Sequence, residues 1–155
     1  MKVKILCFGK LDKTFYVDAF NDYFKRLKKY VDLEIIELKE EINGELNKIK
    51  DDNSNLLLKK IENYKDFEKI ILDVNSKLIS TENLVEIIKT NLNYKTGKIL
   101  FVIGPSDGYS KSFLDSFTNK FSLAKITLPH QLCRIVLIEQ IYRVFKIINN
   151  EKYHK

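Results

Sequence analysis

Two stretches of this chain combine polar residue types with a spacing that chemistry can use. The first is Ile103-Gly104-Pro105-Ser106-Asp107-Gly108-Tyr109-Ser110, a glycine turn closing an apolar run. Glycine there lets a ligand come close to the backbone. The second is the C-terminal third, from Phe121. It holds both histidines: His130 directly after Pro129, and His154 in the polar tail Glu151-Lys152-Tyr153-His154-Lys155. Histidine serves as acid or base near neutral pH, although His130 can equally orient its loop through a hydrogen bond. Arg134 stands among apolar residues one turn later. Such an arginine either snorkels its head to the surface or reaches an anion or a base.

Several familiar chemistries are disfavoured. A nucleotide-phosphate loop needs a Gly-Lys-Ser/Thr ending, and Tyr109 stands in the lysine's place at the wrong spacing. Gly9 stands alone, so there is no dinucleotide fingerprint. Gly104-x-Ser106-x-Gly108 has the spelling Gly-x-Ser-x-Gly, but it is read as a glycine turn and not as a nucleophile elbow. Cys7, Cys133 and the two histidines lack zinc-site spacing, so no metal is expected. Hydrolase, kinase and dehydrogenase readings therefore lose support. Both cysteines lie in apolar segments and read as buried free thiols, which fits a reducing cytoplasm. No apolar run approaches the ~20 residues of a membrane span, and the N-terminus lacks the pattern of a signal peptide. The net charge of +6 favours a polyanionic partner such as nucleic acid. A composition rich in Lys, Asn and Ile raises the charge in the same way without any function.

The elements that must position these residues follow from the hydrophobic period, which alternates between strand and helix types. Strands are expected at Lys2–Phe8, Leu33–Leu38, Lys69–Val74, Lys98–Ile103 and Phe121–Leu128. Helices are expected at Lys13–Tyr30 with Asp12 as its cap, Asn55–Tyr64 after a loop at Asp51-Asp52-Asn53-Ser54-Asn55, Ser80–Asn91, a short one from Ser110, and His130–Asn149. An alternating series of this kind predicts a mostly parallel sheet of five to six strands with helices on both faces, in one domain over residues 1–155. Ligands of such sheets sit at the carboxyl ends of the strands. The candidate loops are then those after Phe8, Val74, Ile103 and Leu128. The last helix is apolar around most of its circumference, more than one sheet face can cover, and a symmetric dimer interface is the simplest partner.

The motifs also carry a resemblance. Ile103-Gly104-x-Ser106-x-Gly108, then Phe121-Ser122-Leu123-x-Lys125-Ile126-Thr127-Leu128-Pro129-His130-x-x-x-Arg134, then Glu139-Gln140-x-Tyr142-Arg143 and Tyr153-His154-Lys155 closely resemble the RlmH family. These are ribosomal large-subunit RNA (pseudouridine-N3)-methyltransferases of the SPOUT class. Gly9-Lys10-Leu11 and Tyr23-x-x-Arg26 fit as well, so the resemblance spans the chain. Its specific part is the last third.

The resemblance implies a C-terminal trefoil knot (the SPOUT α/β knot), a homodimer, and S-adenosylmethionine as cofactor. By position, the cofactor contacts would be Leu72, Gly104, Leu123, Ala124, Lys125, Ile126, Thr127 and Leu128, acting largely through backbone groups. His154 is expected to do the substrate-side chemistry, with Tyr153 stacking or hydrogen-bonding and Arg134 stabilising charge. The implied substrate is 23S ribosomal RNA in the assembled ribosome, because nothing resembles an appended RNA-binding domain. Phosphate contacts are expected from Lys25, Arg26, Lys28, Arg143 or Lys152. The alternatives are a related enzyme acting on another RNA such as tRNA, or a non-catalytic RNA- or ribosome-binding domain. One position departs from the family: Pro105 stands where a second glycine is usual. Proline removes a donor and fixes φ, so the turn must do without both.

Overall fold

The computed structural model describes residues 1–153. Its elements are β1 (Lys2–Phe8), α1 (Thr14–Leu27), β2 (Asp32–Leu38), α2 (Leu46–Ile61), β3 (Glu68–Leu72), α3 (Thr81–Tyr94), β4 (Lys98–Ile103), α4 (Lys111–Asp115), β5 (Lys120–Phe121) and α5 (His130–Ile148). The sheet has five strands in the order β2-β1-β4-β3-β5, and every pairing is parallel. This is the α/β architecture expected from the hydrophobic pattern.

Side chains alternate across a strand, so each strand feeds two cores. Val3, Ile5, Cys7, Ile70, Ile99, Phe101 and Ile103 face α1, α3 and α5. Leu6, Phe8, Ile71, Leu100 and Val102 face the other way, toward α2 and Phe113 of α4. β4 is buried on both faces from Ile99 onward, which is why its sequence reads as an unbroken apolar run.

Three expected elements differ. The loop at residues 51–55 is the middle of α2, which runs unbroken from Leu46. Two polar residues occupy its core-facing positions and hide the helical period. Asn53 is fully buried and exchanges two hydrogen bonds of 2.8 Å with the backbone of Glu41. Ser54 is buried and accepts from the Ser110 amide at 2.9 Å. Glu45 caps this helix by accepting from the amides of Asn47 and Lys48.

Asp12 does not cap α1. Lys13 takes that position without a side-chain bond. Asp12 instead accepts from Gln131 at 2.7 Å, while its own amide donates to Gln131 at 3.0 Å. It thereby ties the loop after β1 to the first turn of α5.

The fifth strand is two residues long rather than eight. Past Phe121 the chain is captured by residues 77–79: the Ser122 amide donates to Lys77 and the Ile79 amide donates to Ser122, both at 2.9 Å. Leu123–Leu128 leaves the sheet as an irregular segment.

The apolar circumference of α5 is largely covered within the chain. Leu137, Ile138, Ile141, Tyr142, Val144 and Phe145 are buried. Tyr142 and Phe145 pack on Tyr23 and Tyr30 near α1, and α3 covers the opposite flank. Ile147 stays exposed, and Ile135 and Val136 are half-buried.

Candidate functional site

A cleft of about 170 Å³ opens at the carboxyl ends of β3 and β4, against the first turn of α5. Three of the four candidate loops wall it, and the loop after Phe8 does not. Leu72 and Asp73 come from β3 and its exit, and Gly104 and Pro105 from the turn after β4. Leu123, Ala124, Ile126, Thr127 and Leu128 come from the segment that left the sheet, and His130 and Cys133 from α5. Of the eight cofactor positions named from the sequence, only Lys125 is not in the wall; its side chain is exposed.

The wall is mostly apolar, and its free polar groups are largely backbone. Among the described residues, the amides of Ala124, Lys125, Ile126, Thr127 and Leu128 make no hydrogen bond within the chain. Lys125, Ile126 and Thr127 are exposed, so these amides face solvent and are free to receive a ligand edge. The shape is held by local bonds: Ser122 donates to the Ala124 carbonyl at 2.6 Å, and the Asp73 amide donates to Phe121 at 2.9 Å.

The glycine turn is built around Tyr109, a residue whose role the sequence did not reveal. Its ring stacks on Phe113 with centroids 4.8 Å apart. Its hydroxyl lies 3.1 Å from both the Leu72 and Val102 carbonyls, to which it donates. The ring lies directly over Gly104, where an added Cβ would fall 2.6 Å from Cζ. Gly104 is therefore required for close approach and not for a positive φ. Pro105 fits because the turn does not use its missing donor. The Gly108 amide donates to the Pro105 carbonyl at 3.0 Å, and Gly108 supplies the positive φ of 84°.

Gly104→Ala is consequently expected to push Tyr109 out of place. Overpacking of this kind costs about 1–3 kcal/mol, and thermal unfolding should show a Tm drop of several degrees. Occupancy of the cleft should weaken by at least about tenfold, because the turn and the Leu72 carbonyl are both held by Tyr109. A variant with unchanged Tm and unchanged ligand binding would show that the ring moves freely.

The remaining candidate residues sit as follows. Arg134 is buried, 2% exposed. Its guanidinium pairs with Glu37 at 2.6 Å and donates to the carbonyls of Phe8 at 3.2 Å and Gly9 at 2.8 Å. Of the two outcomes left open for it, it reaches an anion, and that anion belongs to the fold. Cys7 and Cys133 are free thiols pushed up to about 11 by burial. Both stay protonated at neutral pH, so the cleft-lining Cys133 is no nucleophile.

Tyr153 lies on the outer side of α5, away from the cleft. Its hydroxyl donates to Glu139 at 3.0 Å, its ring meets Tyr142 edge-on, and the Arg143 guanidinium covers it at 4.6 Å. Burial, and then the Glu139 carboxylate, push the phenol well above its ordinary range. Glu139–Arg143 is separated from Cys133 by six to ten helical residues, roughly 9–15 Å along the axis. His154 lies outside the described residues. Beside Tyr142 lies a concave basic surface formed by Lys25, Arg26, Lys28 and Lys29 with Asp22.

A sheet of parallel strands, with a backbone-walled cleft where the last strand gives way to an irregular segment and a helix, defines the domain of a SPOUT-class methyltransferase. The family model described as predicted SPOUT methyltransferase matches residues 1–154. Three relatives are each named ribosomal RNA large subunit methyltransferase H. The one from Mycoplasma capricolum subsp. capricolum is 96% identical over 155 residues. That from Mycoplasma mycoides subsp. mycoides is 91% identical over 155 residues, and that from Fusobacterium nucleatum subsp. nucleatum 39% over 162. Each alignment covers 100% of both chains. The chain belongs to the RlmH family of SPOUT methyltransferases.

Proposed function

We propose that this protein is an S-adenosylmethionine-dependent methyltransferase acting on N3 of a pseudouridine in 23S ribosomal RNA. It works in the cytoplasm on the assembled ribosome, as a homodimer of single knotted domains. The observation that carries the reading is the cleft at the strand ends, walled by a segment whose amides from Ala124 to Leu128 lack partners within the chain. Free amides of this kind can donate to the ring nitrogens of an adenine edge, whose 6-amino group would donate to a backbone carbonyl of the same stretch, with no counter-charge needed. Leu72, Gly104 and Leu123–Leu128, Lys125 included, would hold the cofactor, which supplies a methyl group on a sulfonium.

The protein's own residues then have two tasks: to align the target base and to remove the imide proton of N3. His154 takes that proton, and Tyr153 stacks on or hydrogen-bonds the base. Arg134 contributes at one remove. By clamping Glu37 and the carbonyls of Phe8 and Gly9, it fixes the α5 turn that presents His130 and Cys133 to the cleft. The position of Tyr153 supports a site completed between subunits. The tail of a chain starts on the far stretch of its own α5, so it serves the cleft of the partner. The basic surface at Lys25, Arg26 and Lys28 adjoins Tyr142 and hence Tyr153. Together with Arg143 and Lys152 it would meet phosphates on the substrate side.

The decisive experiment is mass spectrometry of ribosomal RNA and tRNA from a strain lacking the protein. One methylated pseudouridine should disappear from the large-subunit RNA, and purified protein with S-adenosylmethionine should restore it on ribosomes. Loss of a methyl group from tRNA instead would overturn the substrate assignment.

A further inference from the structure

Asp73 is the only Asp, Glu, Lys or Arg among the described residues of the cleft wall. It emerges from β3 directly after Leu72. Its carboxylate accepts from the Ser76 hydroxyl at 2.6 Å and from the Asn75 amide at 3.3 Å, both neutral local groups. No salt bridge engages it among the described residues.

The donors of the glycine turn are already committed elsewhere, and the free amides of Ala124 to Leu128 carry no net charge. The Ser106 amide and hydroxyl serve the Glu40 carboxylate at 2.5 and 3.1 Å. The Gly108 amide serves Pro105, and the Tyr109 hydroxyl serves two carbonyls. Pro105 has no amide hydrogen. Burial keeps the Tyr109 and Cys133 groups protonated and uncharged. In a protein of net charge +6, Asp73 is the only acidic side chain among the described residues of this wall.

We infer that Asp73 is a specificity-determining residue whose carboxylate makes the cleft prefer a sulfonium ligand to its neutral thioether. The inference rests on the reading that the cleft binds S-adenosylmethionine. Methyl transfer forms a bond from the methyl carbon to N3 of the base, whose proton goes to His154, and breaks the bond from sulfur to that carbon, leaving the bonding electron pair on sulfur. The sulfonium becomes a thioether, and the bound ligand loses one positive charge. A fixed carboxylate nearby holds the donor and loosens its hold on S-adenosylhomocysteine, so product release is built into the charge change.

Calorimetry with S-adenosylmethionine and S-adenosylhomocysteine tests this on the full-length protein and Asp73→Asn. Ser76 and Asn75 donate to different oxygens of Asp73, so asparagine removes the charge and keeps one of the two acceptors, and the thioether's affinity reports any damage to the turn. The donor's affinity should fall about tenfold, and that of the thioether by no more than about threefold, as expected for one charge pair at intermediate dielectric. Asp73→Glu should keep the wild-type preference. An unchanged ratio of the two affinities in Asp73→Asn would overturn the inference, whether both affinities held or both fell together. If the wild-type protein bound neither ligand, the cofactor reading would fall and this inference with it.

Discussion

His154→Ala is expected to reduce methyl transfer to ribosomes by at least about a hundredfold, the usual scale for loss of a general base. Cofactor affinity should change less than about twofold. Tyr153 immediately precedes His154 in the chain. Tyr153 is held against Glu139, Tyr142 and Arg143, roughly 9–15 Å along α5 from Cys133 in the cleft wall. Tyr153 and the cleft wall of one chain are thus separate structures that can be damaged separately. Mixed dimers give the sharper result. A His154→Ala chain paired with a Gly104→Ala chain has one intact cleft facing one intact tail, and should recover about half of the wild-type rate if tails act on the partner's cleft. Single-turnover methylation reads the rate and calorimetry reads the affinity. A His154→Ala protein that no longer binds the cofactor would place the tail in the cofactor site instead.

Arg134→Ala is expected to be the most destabilising single truncation of a polar residue. It removes a buried guanidinium that joins α5 to the ends of β1 and β2 through Glu37, Phe8 and Gly9. Breaking a buried pair by deleting one partner costs about 3–5 kcal/mol. The lower end applies here, because the Glu37 side chain is 31% exposed and can turn to water. The Phe8 and Gly9 carbonyls lose a donor on the protein side. Against a typical total of about 5–15 kcal/mol this is a large fraction, and chemical denaturation should show it as a lower midpoint at constant slope. Glu37→Gln should cost much less, since the guanidinium keeps both carbonyls. If Arg134→Ala left stability within about 1 kcal/mol of wild type but abolished methyl transfer, the arginine would act on the reacting groups and not on the fold.

Much of the sheet was legible because β1, β3 and β4 are apolar on both faces, and burial on both faces leaves a continuous run. The segment that walls the cleft was legible as a candidate site only through family resemblance. Leu123–Leu128 has the composition of a strand. Its escape from the sheet depends on Lys77 and Ile79 pairing with Ser122, a contact between segments over 40 residues apart that no local pattern encodes. The helix α2 was hidden for the opposite reason. Its buried face carries Asn53 and Ser54, whose partners Glu41 and Ser110 exist only in the folded chain.

By itself the sequence determined the alternation of strands and helices, the absence of familiar nucleotide and metal motifs, and the set of residues that resemble the family. Those are properties of local period and residue type. Tertiary structure alone decided that Tyr109 lies over Gly104, that Arg134 spends its charge on Glu37, and that Asp73 is the only Asp, Glu, Lys or Arg among the described residues of the cleft wall. It also decided that Tyr153 leaves the cleft of its own chain. Each of these depends on which strand ends become neighbours in the order β2-β1-β4-β3-β5. That order is set by long-range packing on two cores and not by any short stretch of residues.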